Sequence, residues 1–320
     1  MKTAFIFPGQ GSQLIGMGRD FYDNFKAAKE TFQTIDEALN RKLTDIIFNS
    51  TPEELTLTTN TQPALMAVSM AIINTIKAET GKSLDSLCDY AAGHSLGEYS
   101  ALCATESISL TDTAKLLHVR STSMQEACPE DEGSMAACIN IPLQKLEEIL
   151  KDINKINLCQ IANDNIDGQI VISGKVDAID YAISIIKDLG YKAIKLKVSA
   201  PFHCSLMKPA ENQMQLALDK TVINKPIIPV IQNYTAKPAT NPLEIKQNLI
   251  LQICGRVRWR ETLELFNTLE VTHIVEIGAG NVLTNMLRKI NYPNMLRKIN
   301  YLFNLSNIEE LQHFLDRVNK

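Results

Sequence analysis

The chain has few of the features that mark several large classes of protein. Its 320 residues carry a net charge of −4, with no excess of Lys and Arg, which argues against a nucleic-acid partner. No apolar stretch approaches the ~20 residues that a membrane span needs. The amino terminus, MKTAFIFP, has an apolar run of four residues, which is too short for a signal sequence. We therefore expect no nucleic acid, no membrane segment and no export signal.

The cysteines are odd in number and scattered, seven in all. None of them forms a C-x-x-C pair or a Cys/His cluster with the spacing of a metal site. We therefore predict no metal and no cofactor, and we expect reduced thiols in a cytoplasmic protein. Cys204 follows a histidine and is a candidate nucleophile, but a small buried thiol that fills apolar space is the alternative. A stronger serine pattern elsewhere favours the packing role.

That serine lies in a short pattern between a predicted strand and a predicted helix. Apolar residues 87–92 precede Gly93-His-Ser-Leu-Gly97, and residues 98–104 have helical character. G-x-S-x-G in this context is the nucleophile elbow, which holds the hydroxyl of Ser95 out at the edge of a sheet. The backbone N–H of Leu96, at the helix N-terminus, would face an oxyanion formed there. A glycine-rich loop that merely contains a serine is the structural alternative.

The first strand is predicted over residues 3–7, and a second glycine-rich turn follows it. Its sequence is Pro8-Gly-Gln-Gly-Ser-Gln13, but a dinucleotide-binding fingerprint fails here because Leu14 stands where the third glycine is needed. An oxyanion hole of the α/β-hydrolase type needs a second N–H from such an early loop. The turn therefore favours N–H donation near the sheet edge.

One arginine falls on the buried face of a predicted helix. The spacing of Ser109 and Asp112 predicts a helix start, and the helix is expected to run to residue 127. Its apolar stripe consists of Leu116, Leu117, Met124 and Ala127. Arg120 lies on that stripe, and a buried guanidinium is costly unless an anion pairs with it. The side chain could reach the helix edge or pair with a structural carboxylate, but beside a nucleophilic serine it indicates a substrate with its own carboxylate.

The pattern changes between residues 133 and 198, where the predicted order of elements is βαββαβ. The strands are expected at 134–141, 157–162, 169–173 and 191–198, and the helices at 143–151 and 176–189. This order is that of a ferredoxin-like unit. We predict an α/β fold in which a large α/β-hydrolase-like subdomain with a mostly parallel sheet (residues 1–128 and 199–320) carries an inserted ferredoxin-like subdomain (residues 129–198). Asn163 and Asn165 are expected in its central connection, as turn formers or as polar groups facing a cleft.

Other elements complete the large subdomain. One helix is predicted over 21–39, and another opens at 61–64 with Pro63 in its first turn. A strand over 226–232 is followed by a helix over 243–253, with Gln252 near its end. A last strand over 271–277 leads through Gly278-Ala-Gly280 into a helix.

The base for the serine is sought among five histidines. His203 lies at a strand-to-helix junction, whereas His94 lies inside the elbow and the other three have no chemical neighbours in sequence. We therefore predict His203 as the base for Ser95, with a helix-start histidine bonded to backbone as the alternative. No third member of a triad is evident, and a backbone carbonyl or an amide could replace the acid.

An eight-residue sequence occurs twice near the end of the chain. NMLRKINY stands at 285–292 and again at 294–301, separated by Pro293. Because a repeat architecture needs at least three units, we interpret this as a recent tandem duplication on the surface, with Pro293 breaking any continuous helix.

Six segments taken together resemble bacterial malonyl-CoA:acyl carrier protein transacylases. They are Phe7-Pro-Gly-Gln-Gly-Ser-Gln13, Thr61-Gln-Pro-Ala-Leu65, Gly93-His-Ser-Leu-Gly-Glu-Tyr-Ser-Ala101, Arg120, Pro201-Phe-His203 and Glu276-Ile-Gly-Ala-Gly280. The resemblance runs from residue 1 to about 287 and keeps the family's order of motifs. The chain departs from the family at the duplicated segment, and where Cys254-Gly-Arg replaces the more usual Tyr-Asn-Pro.

The resemblance implies a role for each matching residue. Ser95 would be the acylated nucleophile, His203 the base and Arg120 the group that binds the malonyl carboxylate. The oxyanion would be bound by the N–H groups of Gln10 and Leu96. The backbone carbonyl of Gln252 would orient the histidine, and His94, Phe202 and Asn163 would complete the substrate-binding set. Leu96 and Phe202 match the malonyl rather than the methylmalonyl version of their motifs.

The resemblance also implies the reaction and its partners. Malonyl-CoA would acylate the serine, and the phosphopantetheine thiol of acyl carrier protein would then take the malonyl group for fatty acid biosynthesis. No cofactor is implied, and we expect a monomer. A polyketide pathway, a serine esterase or thioesterase, and a non-enzymatic module that binds the carrier remain as alternatives.

Overall fold

The computed structural model describes residues 2–129, 131–289 and 299–318. Numbered in chain order, its strands are β1 (Lys2–Phe7), β2 (Tyr90–Gly93), β3 (Gly133–Ile139), β4 (Cys159–Ile166), β5 (Gln169–Lys175), β6 (Lys192–Lys195), β7 (Val230–Ile231), β8 (Pro238–Ala239), β9 (Val271–Ile277) and β10 (Tyr301–Leu305). The helices are α1 (Arg19–Asn24), α2 (Lys26–Leu39), α3 (Leu43–Asn49), α4 (Pro52–Thr56), α5 (Thr58–Thr80), α6 (Gly97–Ala104), α7 (Leu110–Glu126), α8 (Leu143–Ile153), α9 (Val176–Asp188), α10 (Lys208–Asp219), α11 (Pro242–Gln252), α12 (Trp259–Thr268), α13 (Val282–Arg288) and α14 (Ile308–Val318).

The main sheet has six strands in the order β10-β9-β1-β2-β7-β8. Its pairs are parallel except for β7 with β8. The central strand β1 reads KTAFIF and is buried over its last four residues, as a strand covered on both faces must be. The predicted mostly parallel sheet is therefore present. The strand expected over 226–232 forms pairs only at Val230 and Ile231.

The second sheet is antiparallel, in the order β4-β5-β3-β6. The predicted sequence of elements, βαββαβ, is present as β3, α8, β4, β5, α9 and β6. One face packs against α8 and α9 through a core of its own, which includes Ile149, Ile172 and Ile179. The other face contributes Met135 and Val171 to the main core. The second sheet therefore forms a wall against the large part of the chain.

The single helix expected over 21–39 is wrong, because two helices meet at Phe25. Phe25 is extended, with φ −126° and ψ 124°, and its N–H donates to the carbonyl of Phe21. The break lets Phe21 of α1 and Phe32 of α2 reach the same core, where both are buried. Hydrophobic periodicity does not show such a break, because the residues on each side of it keep helical spacing.

The expectation that Pro63 opens a helix is also wrong. Helix α5 begins at Thr58, so Pro63 lies inside it. A proline has no N–H and leaves the carbonyl four residues earlier without its helical partner. Here that carbonyl belongs to Thr59, and it accepts a hydrogen bond of 2.8 Å from Nη2 of Arg41. A side chain from another segment thus replaces the missing bond.

Asn163 and Asn165 lie on strand β4, not in the connection where they were expected. Both side chains are buried, and only residues 167 and 168 separate β4 from β5. The register shifts between Ile161 and Asn163, where the backbone also pairs with Val257 of the large part. Such irregularities let polar side chains enter a strand and face inward.

Some expectations concern absences or residues beyond the described part of the chain. Within the described ranges, no helix is long and apolar enough to cross a membrane, and no group of three or more His, Cys, Asp or Glu side chains could hold a metal. All seven cysteines are free thiols. Most of the second duplicated copy, together with Pro293, lies outside the described residues.

Candidate active site

Ser95 lies in a tight turn between β2 and α6, as the elbow pattern predicts. Its φ is +55°, a conformation that non-glycine residues adopt rarely and that is often found at functional sites. A Cβ at Gly93 would come within 1.9 Å of the Gly97 carbonyl carbon, and one at Gly97 within 2.3 Å of the Phe7 carbonyl oxygen. Both glycines are therefore required by close backbone contacts within the turn and against β1.

His203 is hydrogen-bonded to Ser95, at 2.8 Å from Nε2 to Oγ. Its Nδ1 lies 2.9 Å from the backbone carbonyl oxygen of Gln252, and because a carbonyl can only accept, Nδ1 carries the proton and Nε2 is free to accept from the serine. Burial, followed by the charge of Arg120, lowers the pKa of His203 to about 3. The imidazole is thus neutral, as a general base must be. In the described residues no carboxylate contacts it, and a backbone carbonyl takes the place of the usual acid.

Arg120 is buried beside the serine, with 1% of its surface exposed. Nη1 donates to Oε1 of Gln62 at 2.6 Å, and Nη2 donates to Oε1 of Gln252 at 3.0 Å and to Ser95 Oγ at 3.1 Å. The guanidinium also lies 5.6 Å from the ring centroid of Tyr99. Within the described ranges it forms no ion pair with a carboxylate. A buried cation held by neutral groups retains its capacity to bind an anion.

These groups face a cavity of about 330 Å³. Eight of the predicted site residues line it, namely Gln10, His94, Ser95, Leu96, Arg120, Asn163, Phe202 and His203. The rest of the wall is mostly apolar and includes Met124, Met135, Val171, Val198 and Met286. The cavity therefore combines the polar groups around the serine with a mostly apolar wall.

Two backbone N–H groups around the serine are unpaired. In the part of the chain that the structure describes, neither Gln10 nor Leu96 donates a backbone hydrogen bond. Leu96 precedes α6, where N–H groups point out of the helix and attract negative charge. The side chain of Gln10 accepts from Thr58 Oγ1 at 3.2 Å, which ties its loop to α5. Both N–H groups can therefore serve an anion beside Ser95.

His94 and the two asparagines of β4 form the side of the cavity. Nε2 of His94 lies 2.8 Å from Oδ1 of Asn165, and the His94 ring makes an edge contact with Trp259, 5.5 Å between centroids. Burial lowers the pKa of His94, so the ring is neutral and Nε2 donates to Asn165. Asn163 lines the cavity beside it.

Asn233 holds the elbow in place, and sequence reasoning missed it. Its Oδ1 accepts from the N–H of Ser95 at 2.7 Å, and its Nδ2 donates to the carbonyl of Gly93 at 2.7 Å. Its own backbone N–H donates to Oε2 of Glu98 at 2.9 Å. Asn233 directly follows the predicted strand 226–232, but no motif marks it.

Gln62 and Glu98 also contact the site, although the sequence analysis assigned a role to neither of them. Gln62 accepts from Arg120 and donates to Thr58 Oγ1 at 3.0 Å. Glu98 accepts from Nε2 of Gln252 at 2.8 Å. Both residues lie in segments that carry the family resemblance, 61–65 and 93–101, and this position could have identified them.

Cys204, the alternative nucleophile, is buried and donates its S–H to the carbonyl of Pro201 at 3.2 Å. Burial raises the pKa of this thiol. It is therefore a packed thiol rather than a reactive thiolate.

A serine in an elbow, a neutral histidine and free N–H donors beside them define a serine-dependent acyl-transfer site on an α/β fold. Comparison with known proteins agrees. Residues 4–289 match the acyl transferase domain, and the chain belongs to this family.

Its relatives are named for one reaction. The malonyl CoA-acyl carrier protein transacylase of Bacillus subtilis (strain 168) is 43% identical over 292 residues, which are 91% of this chain and 90% of that protein. The crystal structure of acyl-carrier-protein-S-malonyltransferase from Bartonella henselae is 45% identical with a TM-score of 0.94, and the match covers 100% of both chains. A malonyl-transacylase solved in complex with its type II PKS acyl-carrier protein is 33% identical with a TM-score of 0.92, over 99% of this chain and 100% of that one.

Proposed function

We propose that the protein transfers the malonyl group from malonyl-CoA to the phosphopantetheine thiol of an acyl carrier protein, for fatty acid biosynthesis. The observation that carries this is the guanidinium of Arg120, which is buried 3.1 Å from Ser95 Oγ and held by neutral side chains. An acyl group that brings its own carboxylate would complete this site. The names of the similar proteins support the same donor and acceptor.

In the first half-reaction Ser95 takes the acyl group. His203 Nε2 removes the hydroxyl proton while Oγ attacks the thioester carbonyl, and the N–H groups of Gln10 and Leu96 bind the oxyanion. Collapse of the intermediate breaks the C–S bond, and the protonated histidine returns its proton to the departing CoA sulfur. The product is a malonyl ester on Ser95. The carbonyl of Gln252 keeps the histidine oriented throughout.

In the second half-reaction the carrier thiol gives its proton to His203 and attacks the ester. The C–O bond breaks, and Ser95 regains its proton from the histidine. Because one thioester is exchanged for another by way of an ester, the overall transfer is nearly balanced in free energy. The site therefore has to exclude water more than it has to drive the chemistry.

The cavity walls would set which acyl groups fit. Phe202 and Leu96 line the same cavity as Ser95, where they would limit a substituent on the central carbon of the malonyl group. His94, fixed by Asn165, and Asn163 present polar atoms along the same wall. We assign these residues to substrate binding rather than to proton transfer.

The decisive experiment incubates the protein with malonyl-CoA, with and without holo acyl carrier protein, and follows both free malonate and malonylated carrier. Transfer predicts malonylated carrier in high yield and little malonate. Rapid release of malonate without carrier would indicate a thioesterase, and carrier binding with no acylation would indicate a docking module.

The nucleophile is tested by intact mass after mixing with malonyl-CoA alone. One malonyl adduct is expected in the wild type and in Cys204→Ser, and none in Ser95→Ala. An adduct that persists in Ser95→Ala and is lost in Cys204→Ser would place the nucleophile on the cysteine.

We further propose that residues 129–198 are an inserted ferredoxin-like subdomain, which the order of the second sheet and its separate core support. The large subdomain would comprise 1–128 and 199–320.

Seven free thiols suit a reducing compartment, so we place the enzyme in the cytoplasm. We propose that it acts as a monomer, which light scattering on the purified protein would test.

A further inference from the structure

Glu98 is a buried carboxylate that the proposed mechanism does not use. It lies on α6, three residues after Ser95, with 0% of its surface exposed. Oε2 accepts from the backbone N–H of Asn233 at 2.9 Å and from Nε2 of Gln252 at 2.8 Å. In the described part of the chain Oε1 has no hydrogen-bond partner. The carboxylate is therefore held firmly at one oxygen only.

The side chain of Gln252 separates Glu98 from Arg120. Its Nε2 faces acceptors, namely Glu98 Oε2, the carbonyl of Ser95 at 3.0 Å and Oδ1 of Asn233 at 3.3 Å. The amide oxygen must therefore point the other way, where it accepts from Arg120. A direct ion pair would occupy the guanidinium N–H groups and neutralise them. The amide instead keeps the two charges near each other but apart.

We propose that Glu98 is a positioning residue that determines specificity at the carboxylate site: its negative charge weakens the hold of Arg120 on the malonyl carboxylate, although it does not touch the substrate. This inference rests on the proposed function. The consequence is catalytic, because an enzyme that bound the malonyl ester too tightly would retain it instead of passing it to the carrier.

The charged surroundings of Glu98 are simple. In the described ranges, the titratable groups that act on it or face it are Arg120 on α7 and Tyr99 on its own helix. The β7–β8 connection and α11 contribute the neutral N–H groups of Asn233 and Gln252. Burial raises the pKa of Glu98 to about 7, against the opposing effects of these donors and of Arg120. A proton on Oε1 would leave both hydrogen bonds to Oε2 in place.

The ionisation of Glu98 predicts the direction in which substrate selectivity changes with pH. As pH rises through about 7, Glu98 ionises and repels the substrate carboxylate, so selectivity for malonyl-CoA over acetyl-CoA should fall. Acetyl-CoA carries no carboxylate and serves as the reference, since both substrates share His203, Ser95 and the thioester chemistry. The ratio of their rates of Ser95 acylation therefore isolates the carboxylate site.

The experiment measures that ratio, by intact mass at short times, from pH 6 to pH 8 in the wild type and in Glu98→Gln. The wild-type ratio should fall as pH rises. In Glu98→Gln, which keeps an acceptor at the same place without the charge, the ratio should be flat and should exceed the wild-type value at pH 8 by about threefold or more. Glu276→Gln is the matched control, because Glu276 is also fully buried and accepts two backbone N–H bonds, from Leu283 and Thr284. It should leave the ratio and its pH dependence as in the wild type.

A Glu98→Gln ratio equal to or below the wild-type value at pH 8, or one that still falls with pH, would overturn the proposal. If this variant does not fold, as judged by circular dichroism, the wild type decides alone, since a ratio that is flat or rises with pH contradicts repulsion between Glu98 and the substrate carboxylate. Failure of the proposed function is distinguishable, because the wild type would then form no malonylated carrier in the presence of holo acyl carrier protein, whatever the ratio of its acylation rates.

Discussion

Two arginines donate hydrogen bonds to buried oxygen atoms, but the charges of those partners differ. Arg260 of α12 binds Asp164 of β4 with two hydrogen bonds, Nε to Oδ1 at 3.1 Å and Nη2 to Oδ2 at 2.9 Å, and Asp164 is fully buried. Arg120 of α7 is more deeply buried than Arg260, yet its partners are two amides and a hydroxyl. The first pairs charge with charge, whereas the second leaves the charge unpaired.

We propose that the difference separates a structural cation from a functional one. The bidentate pair of Arg260 and Asp164 connects the second sheet to the large part of the chain, and its charge is satisfied within the protein. Arg120 is fixed as firmly in position, but its charge is left for a ligand. Burial alone therefore does not reveal the role of an arginine; the charge of its partners does.

The largest expected effect comes from removing the functional cation. Arg120→Ala should lower the rate of Ser95 acylation by malonyl-CoA by about 100-fold or more, because a buried charge pair with the substrate is lost, and should relax the preference toward acetyl-CoA. Single-turnover acylation with both thioesters measures this. Full malonyl preference in the variant would exclude Arg120 from carboxylate recognition.

Removing the structural cation should affect stability instead. Arg260→Ala leaves buried Asp164 with a single, longer ion pair among the described residues, to Arg256 at 3.5 Å, so the free energy of unfolding should fall by about 2 kcal/mol or more. Urea denaturation measures the loss, with Arg260→Lys as a control that retains the charge. The malonyl-to-acetyl ratio of the folded protein should stay at the wild-type value, and a changed ratio would mean that the two arginines are not separate in function.

A smaller effect is expected from making Arg120 resemble Arg260. Gln62→Glu would place a carboxylate at the position that now lies 2.6 Å from Nη1, so that the guanidinium gains an internal partner. Malonyl acylation should fall by about tenfold relative to acetyl acylation, since the substrate must then displace or share that partner. Gln62→Met, which removes the hydrogen bond without adding charge, separates the two causes; equal ratios in the two variants would refute the charge argument.

Much of the site was predictable because its signals are local. Gly93, Ser95 and Gly97 are specified by the turn itself, since backbone atoms leave no room for side chains at the two glycines. Arg120 followed from helical periodicity, and His203 followed from the need for a base at a loop. Those arguments require only the spacing of residues along one element and the chemistry of one side chain.

The errors and omissions concern contacts between distant segments. Asn163 and Asn165 were expected in a connection because the strand before them was predicted to end at residue 162. Strand β4 instead continues to Ile166, and the backbone of Asn163 also pairs with Val257, about ninety positions later. Asn233 was overlooked because its value lies in reaching Gly93 and Ser95, which no spacing within its own segment indicates. The helix break at Phe25 has the same cause, since the shared core decides it.

The amino-acid sequence by itself determined which groups could react: a serine in a strained turn, a histidine at a strand-to-helix junction and an arginine on an apolar stripe, each specified by its own few neighbours. Only the tertiary structure decided what surrounds them. It placed the backbone carbonyl of Gln252 behind the histidine and amides instead of carboxylates around Arg120. It also placed Glu98 on the far side of the Gln252 amide from Arg120. Electrostatic energy depends on distances and burial in space, so the same residues in a different packing would form a structural ion pair rather than a site for an acidic substrate.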